Sequence, residues 1–195
     1  MIFKIFWILR GLIYKPFFGK FGFPSYLGKP VYIGNFKRIF IGRKVRIMPN
    51  ARIEVIDNNS SIIFEDNISI AQNLHIISGG NQELRIGKNT TFSANVFVTN
   101  VDHEYQKINI HIMEQKLIYN ETKIGENCFI GYGAVIQAGT ILGKQCIVGS
   151  NSVVRGAFPD YCVIVGIPAR IIKRYDEKSK TWKRTNNKGE FSNEI

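Results

Sequence analysis

The stretch IGENCFIGYGAVIQAGTILGKQCIVGSNSVV, residues 124–154, carries a large aliphatic residue at every sixth position. The residues at that position are Ile124, Ile130, Ile136, Leu142, Val148 and Val154. A helix would place its apolar residues three and four positions apart, and an amphipathic strand would alternate them, so a period of six fits neither. The spacing instead predicts a triangular solenoid in which each short strand contributes one inward-pointing residue.

The same period occurs earlier in the chain in groups of three. Its members are Ile41, Ile47 and Ile53, then Phe64, Ile70 and Ile76, then Ile86, Phe92 and Val98. Three such hexads make one coil of three strands, so the sequence contains five recognisable coils. The intervals that depart from six all follow a third strand, and the longest runs from Val98 to Ile124. We therefore expect every insertion to project from the same corner of the solenoid.

This pattern resembles the hexapeptide-repeat family, whose fold is an all-β, left-handed parallel β-helix. The resemblance implies the handedness, since crossover connections between parallel strands are otherwise almost always right-handed. It covers residues 31–172. We expect an aromatic and basic segment over residues 1–30, a β-helix over 31–172 with a projecting loop at 104–123, and a charged C-terminal tail over 173–195.

The net charge of +11 is concentrated at the two ends of the chain. Eleven Lys or Arg residues and no acid precede Glu54, and eight bases against four acids follow from Arg170 onward. We find no recognition helix, zinc-finger spacing or RNA-binding signature, so nucleic acid is not an expected partner. A membrane surface or a phosphate-bearing ligand fits such ends better. Three cysteines without framework spacing favour a reducing, cytoplasmic location.

The first residues, MIFKIFWILRGLIYKPFFGKFGF, interleave Phe3 and other aromatic residues with lysine and arginine. Their longest apolar run, residues 5–9, is far short of the ~20 residues that a membrane-spanning helix needs, and no cleavage site follows it. Two interpretations remain open. The segment could contact the inner face of the cytoplasmic membrane peripherally, or it could form a helix that packs on the main domain or on a neighbouring subunit.

Many members of the family are acyl-CoA-dependent acyltransferases, and the chain from NVDHEYQ (100–106) to VGIPARIIKR (165–174) resembles their C-terminal half. It looks most like bacterial surface-polysaccharide O-acetyltransferases. The resemblance matches His103 to the family's catalytic histidine, which would act as general base when a sugar hydroxyl attacks the thioester of acetyl-CoA. It also favours Glu114, in the projecting loop, as the acid that orients the histidine, rather than the nearer Asp102.

The resemblance further implies that acetyl-CoA binds as cosubstrate along the unbroken coils of residues 124–154. Four residues there are small enough to let pantetheine approach closely, and these are Gly131, Ala138, Gly149 and Ser150. Phe129 stands where family members often carry tryptophan. Arg170 and Lys173 of the closing motif would meet the nucleotide phosphates, although either could equally lie on a solvated cap.

Other kinds of site are weighed on residue spacing. Cys128 and Cys146 lie one coil apart, which predicts two core residues rather than a nucleophile, so direct acyl transfer without an acyl-enzyme is expected. The γ-class carbonic anhydrases, of the same fold, bind zinc through three histidines. The spacing of His75, His103 and His111 does not reproduce that arrangement, and no metal is expected. His75 falls at the last place of a hexad, which predicts a corner residue with a solvated or hydrogen-bonded imidazole.

The expected acceptor is a sugar hydroxyl in O-antigen or capsule, or in a lipid-linked glycan precursor. N-acylation of a nucleotide-linked amino sugar and a non-catalytic basic scaffold at the membrane remain alternatives. The resemblance also implies a homotrimer, in which the apolar loop of residues 104–123 would reach the neighbouring subunit and complete a shared cleft.

Overall fold

The computed structural model describes residues 2–186 and 188–192 of the chain. They form the helix α1 (Ile2–Tyr14), two 3-10 turns (Phe36–Arg38 and Ile112–Glu114) and a series of short strands. The strands are β1 (Lys20–Phe21), β2 (Tyr26–Leu27), β3 (Tyr32–Gly34), β4 (Ile39–Ile41), β5 (Arg46–Ile47), β6 (Arg52–Val55), β7 (Ser61–Phe64), β8 (Ser69–Ile70), β9 (His75–Ser78), β10 (Glu83–Ile86), β11 (Thr91–Phe92), β12 (Phe97–Thr99), β13 (Val101–His103), β14 (Leu117–Tyr119), β15 (Lys123–Ile124), β16 (Phe129–Ile130), β17 (Val135–Leu142), β18 (Ile147–Val148), β19 (Val153–Phe158), β20 (Cys162–Gly166), β21 (Ala169–Asp176) and β22 (Thr181–Arg184).

The strands stack in parallel into a three-faced solenoid of about six turns, as the hexads predicted, and it matches the left-handed β-helix that the family resemblance implied. The first face holds β1, β4, β7, β10, β15 and the second halves of β17 and β19. The second face holds β2, β5, β8, β11, β16, β18 and β20. The third face holds β3, β6, β9, β12 and the first halves of β17 and β19.

The residues at every sixth position form the core. All fifteen of those identified in the sequence are at most 1% exposed. On the first face they make one continuous inward ladder, since Ile41 pairs with Phe64, Phe64 with Ile86, and Ile86 with Ile124. Each coil therefore buries its inward side chains against identical positions of the coils above and below it.

Asparagines turn the chain between the first and second faces. Asn67, Asn89 and Asn127 adopt left-handed backbone conformations with φ of 58–60°, which asparagine tolerates better than other residues with a side chain. Their side-chain amides also bond to one another along the stack, at 2.9 Å and 3.0 Å. This corner consists of tight, repeated turns. The insertions follow β6, β9 and β12 and all lie at one other corner, as predicted. We call this corner, between the third and first faces, the third corner.

The β-helix begins earlier than the expected boundary at residue 31. Strands β1 and β2 already pair in parallel with β4 and β5, so an additional coil occupies residues 20–34. Phe21, Leu27 and Ile33 keep the spacing of six, but the aromatic and basic composition of this region obscured it.

The expected tail is largely ordered as well. Strand β21 pairs antiparallel with β20, and β22 pairs antiparallel with β21, which extends the second face through residue 184. Trp182 packs against Tyr175 of its own chain, with ring centroids 5.8 Å apart. Residues 173–184 of the expected charged tail are therefore paired strands, although most of their side chains are exposed to solvent. Residues 187 and 193–195 lie outside the described residues.

Helix α1 covers the first coil of the solenoid. The Trp7 ring packs against Tyr26 at 5.7 Å between centroids, Arg10 Nη1 donates a hydrogen bond of 3.2 Å to the Leu27 carbonyl, and Gly11 lies against the Phe21 ring. One side of the segment thus packs on the main domain; the side chain of Phe3 lies outside the described residues. Within the described ranges, no helix has the length and hydropathy of a membrane span.

Two adjacent isoleucines in β7 provide a test of which side chains of that strand face the core. Ile62 is fully buried between Ile39 and Leu84, whereas Ile63 points outward. We expect Ile62→Ala to lower the free energy of unfolding by about 2–5 kcal/mol, because it leaves a cavity. The matched variant Ile63→Ala should lower it by less than about 1 kcal/mol. Urea unfolding followed by circular dichroism measures both, and equal losses would contradict the inward register of β7.

Candidate functional site

A β-hairpin projects from the third corner where the hexad period is interrupted. Strand β13 pairs antiparallel with β14, with Val101 opposite Tyr119 and His103 opposite Leu117. The segment between them, residues 104–116, contains the short 3-10 turn Ile112–Glu114. The projecting loop predicted from the sequence is thus a hairpin with an irregular tip.

Two buried polar side chains hold the base of this hairpin. Asn100 accepts a hydrogen bond from the Gly79 backbone N–H at 2.9 Å and donates one to the Gly79 carbonyl at 3.0 Å. Thr122 donates to the Thr99 carbonyl at 3.1 Å and accepts from the Gly139 N–H at 3.1 Å. These bonds tie both ends of the hairpin to the neighbouring coils. Sequence reasoning missed both residues.

His103 lies at the end of β13, where the rigid coil passes into the hairpin tip. Its side chain is half-buried, and its Nδ1 atom is buried without a hydrogen-bond partner among the described residues. Buried polar atoms are nearly always paired in folded proteins, so this nitrogen is available to pair with a bound molecule or a water. The unpaired nitrogen singles out His103 in this region.

The neighbouring acid, Asp102, is engaged elsewhere. Its Oδ1 atom accepts a hydrogen bond of 2.9 Å from the His103 backbone N–H, and its Oδ2 atom lies 3.4 Å from Nη2 of Arg155. The carboxylate therefore turns toward β19 on the third face and not toward the imidazole. The ion pair ties β13 to β19. On the third face, β19 lies two coils beyond β12, the strand that precedes β13.

The structure does not bring Glu114 to His103 within one chain. Glu114 is exposed in the 3-10 turn, and its backbone N–H bonds to the His111 carbonyl at 2.9 Å. His111 caps the same turn, since its Nδ1 atom accepts from the Met113 N–H at 3.3 Å. His111 thus has a structural role in the loop, and Glu114 as the orienting acid stays a prediction.

His75 lies on the third face and not at a corner as the hexad count suggested. It begins β9, and its ring packs edge-on against Phe97 at 5.2 Å between centroids. Burial and the charge of Arg52 lower the pKa of His75, against the opposing effect of Glu54. Its Nε2 atom is buried without a partner among the described residues, so the expectation of a solvated or hydrogen-bonded imidazole is wrong for this nitrogen.

Three of the seven predicted coenzyme residues, Phe129, Arg170 and Lys173, lie on the second face. Phe129 pairs with Ile147, Ile147 with Val163, and Val163 with Lys173, which places Phe129 and Lys173 in one outward row. The exposed Phe129 ring lies at one end of this row and the exposed Lys173 at the other.

A second row runs along the adjacent corner, between the second and third faces. The Gly131 position lies against the backbone of Gly149 and Ser150, and Gly149 lies against Val165, which pairs with Arg170. A side chain at Gly149 would come within 2.7 Å of Val165 Cγ1, and Gly131 is buried, so both glycines allow successive coils to pack closely. Together, the two rows form a surface that ends in Arg170 and Lys173.

Ala138 does not belong to this surface. It lies within β17 where the chain passes the third corner, and it is only 2% exposed. The prediction of one straight groove containing Ala138 is therefore wrong. Residues 136 and 142 keep the period of six, and this spacing concealed the fact that Ala138 turns the chain at a different corner.

The three cysteines are core residues, as the spacing predicted for two of them. Cys128, Cys146 and Cys162 are at most 2% exposed, and the sulfur atoms of the last two lie 3.5 Å apart. Hydrogen bonding to Cys146, and then burial, raise the pKa of the Cys128 and Cys162 thiols. In the described part of the chain, no three His, Cys, Asp or Glu residues form a group that could hold a metal ion.

Comparisons with known proteins agree with this architecture. Residues 121–156 match the family model described as bacterial transferase hexapeptide (six repeats). The chain is 34% identical over 110 residues to WbbJ of Escherichia coli (strain K12), which is named as an O-acetyl transferase of lipopolysaccharide biosynthesis. The alignment covers 53% of this chain and 56% of WbbJ, so the chain spans about half the length of this relative.

Two solved structures show the same fold. A mutant of AntD, an N-acyltransferase from Bacillus cereus in complex with dTDP and coenzyme A, matches with a TM-score of 0.70 at 20% identity, over 86% of this chain and 90% of that one. The hexapeptide-repeat containing acetyltransferase VCA0836 from Vibrio cholerae matches with a TM-score of 0.61 at 21% identity, over 87% and 81%. The hexapeptide-repeat resemblance is therefore confirmed.

Asn100 provides a test of how the hairpin is anchored. We expect Asn100→Ala to lower the free energy of unfolding by about 2–3 kcal/mol, because both polar groups of the Gly79 backbone lose their partner inside the protein. Asn81→Ala is the matched control, since Asn81 is exposed at the same corner and its loss should change stability by less than about 0.5 kcal/mol. Thermal unfolding measures both; a loss for Asn100→Ala no larger than for the control would contradict the anchoring role.

Proposed function

We propose that this chain, a hexapeptide-repeat protein, is an acetyl-CoA-dependent O-acetyltransferase that modifies a sugar hydroxyl of a bacterial surface polysaccharide, such as O-antigen or capsule, or of its precursor. The observation that carries the proposal is His103, held at the base of a projecting hairpin with a buried and unpaired imidazole nitrogen. The likeness to WbbJ supports the choice of an O-linked sugar acceptor.

His103 acts as general base in this proposal. Its imidazole takes the proton from the acceptor hydroxyl while the hydroxyl oxygen attacks the thioester carbonyl carbon of acetyl-CoA. The carbon–sulfur bond then breaks, the acetyl group stays on the sugar oxygen, and coenzyme A leaves and recovers a proton. Transfer is direct, because Cys128, Cys146 and Cys162 are all buried in the core and cannot reach a substrate.

Coenzyme A would lie along the second face. Gly149 and Ser150 lie at the surface of the adjacent corner, where an extended pantetheine chain would pass, whereas Gly131 is buried against the next coil. The exposed Phe129 ring offers an apolar contact. Arg170 and Lys173 are exposed at the end of this surface and form no ion pair with the described residues, so they are available for phosphate groups. The coenzyme A in the AntD complex supports this cosubstrate.

A thiol-release assay tests the reaction. With acetyl-CoA and candidate glycans, we expect His103→Ala to lose about 10²–10⁴-fold in rate, because it lacks the base, and to bind coenzyme A as before. His75→Ala is the matched control, since His75 lies in β9 on the third face, where its ring packs against Phe97, and its loss should leave the rate nearly unchanged.

The outcomes separate the alternative functions. Release of thiol only with nucleotide-linked amino sugars would establish N-acylation, which the likeness to AntD makes the second candidate. No measurable binding of coenzyme A by calorimetry would contradict an acyltransferase altogether and leave the basic scaffold. Equal rates for His103→Ala and the unmodified protein would contradict the assignment of the base.

The proposed site is completed by a neighbouring subunit in a homotrimer. The third corner lies between the third and first faces, so His103 stands across the triangular solenoid from the second face of its own chain. A neighbour can bring its second face beside this corner. The exposed Tyr105, Ile108 and Met113 of the hairpin tip supply apolar surface for that contact.

Mixing two inactive variants tests the shared site. One subunit carries His103→Ala, and the other carries Ser150→Trp, whose large side chain at an exposed position would obstruct the coenzyme surface. Random co-assembly leaves both halves intact at one interface in four, so about a quarter of the unmodified activity should return. Light scattering should give three times the chain mass of 22.2 kDa. No recovery in mixed trimers, or a fully active monomer, would contradict the shared site.

A further inference from the structure

Helix α1 is apolar on the side that faces away from the solenoid as well as on the side that packs against it. Its inward side consists of Trp7, Arg10, Gly11 and Tyr14. The outward side carries five large apolar side chains that are 45–67% exposed, namely Ile5, Phe6, Leu9, Leu12 and Ile13. A helix that lies on a domain surface ordinarily directs polar residues toward solvent, so the apolar outward face of α1 lacks its cover.

The spacing makes these five residues one continuous stripe. Positions 5, 9, 12 and 13 follow the i, i+4, i+7 and i+8 pattern of a single helix face, and position 6 adjoins it. No charged residue falls within the stripe. Two further aromatic side chains, Phe17 and Phe23, are exposed in the segment that follows the helix. An apolar stripe of this size on a solvent-facing helix is typical of a docking surface.

The charge around the stripe identifies the partner. Lys4 in the helix and Lys15 directly after it are exposed and form no ion pair with any described residue, and Lys20 follows at the start of β1. No acid occurs before Glu54, so the whole first coil is positive. A second copy of this chain would bring the same positive charge to the contact and be repelled, whereas an anionic surface would be attracted.

We propose that the outward face of α1 docks on an anionic lipid bilayer. Ile5, Leu9 and Ile13 enter the boundary between headgroups and acyl chains, and Lys4 and Lys15 meet the lipid phosphates. The helix lies in the plane of the interface because its inward side remains packed on the first coil. The solenoid then stands with its first coil at the membrane and its later coils in the aqueous phase.

Cosedimentation of the full chain with vesicles tests the proposal without any measurement of activity. We expect binding to vesicles of equal parts phosphatidylcholine and phosphatidylglycerol, and much weaker binding to phosphatidylcholine alone. The triple variant Ile5→Gln, Leu9→Gln, Ile13→Gln should bind at least about tenfold more weakly, because it removes the apolar anchor. Glutamine is a good helix former, so the helix and its inward contacts should persist.

Two further variants serve as charge test and matched control. The double variant Lys4→Gln, Lys15→Gln keeps the apolar stripe and should bind the anionic vesicles about tenfold more weakly. High salt should weaken binding of the unmodified protein by a similar factor, because it screens the same charges. Ile167→Gln is the matched control, because Ile167 is 72% exposed, similar to the 67% of Ile13, and lies at the opposite end of the solenoid from α1. This variant should bind vesicles like the unmodified protein. Circular dichroism checks that every variant is folded.

Three results would overturn the proposal. The first is no binding of the unmodified chain to either kind of vesicle. The second is unchanged binding by the triple variant, which would place the lipid contact elsewhere. The third is a smaller particle mass for the triple variant in light scattering without any lipid binding by the unmodified chain, which would show that a second copy covers the stripe.

Discussion

Parallel pairing between successive coils is the constraint on which the rest of this structure depends. Each strand must offer its backbone groups to the coil above and the coil below at about 4.8 Å, and the triangular interior admits one large side chain per strand. Two corners are therefore confined to short repeated turns, such as those at Asn67, Asn89 and Asn127. The pairing persists across the largest insertion, since Ile86 pairs directly with Ile124 although the hairpin of residues 101–119 lies between them in the chain. A hairpin at the third corner thus leaves the pairing register of the strands unchanged, and functional residues can therefore be added there.

The same constraint leaves unpaired strand edges at the two ends of the stack. A different structural element covers each end. Helix α1 covers the first coil through Trp7 and Gly11, while β21 and β22 continue the last coil as an antiparallel extension. Covered edges prevent end-to-end association of solenoids. The two covers differ in chemistry, because the helix presents an apolar outer stripe and β21 presents Arg170 and Lys173. The two ends of one solenoid are therefore suited to different partners.

The parts of this architecture that repeat were predictable from sequence, and the parts that occur once were not. Ile130 and Val148 could be placed in the core because their neighbours six positions away obey the same rule. The role of Asn100 could not be predicted, because it depends on two hydrogen bonds to Gly79. Gly79 lies 21 positions earlier, and no periodicity in the sequence connects the two residues. Ala138 was misplaced for the opposite reason, because the period continues through the third corner and conceals the bend in β17. His103 stood out only where the period stops.

The position of His103 follows from how the prism is built. Its corner faces away from the second face of the same chain, and the inward ladders of large apolar residues fill the interior, so no side chain can bridge the two through the core. A hairpin long enough to fold back around the prism would have to pass the first or third face; instead, the Asp102–Arg155 pair and the Asn100 and Thr122 bonds direct it outward. An outward hairpin with exposed Ile108 and Met113 brings its apolar tip away from its own solenoid. The geometry therefore favours a base and a coenzyme surface that meet between neighbouring prisms, and it links catalysis to assembly through the same hairpin.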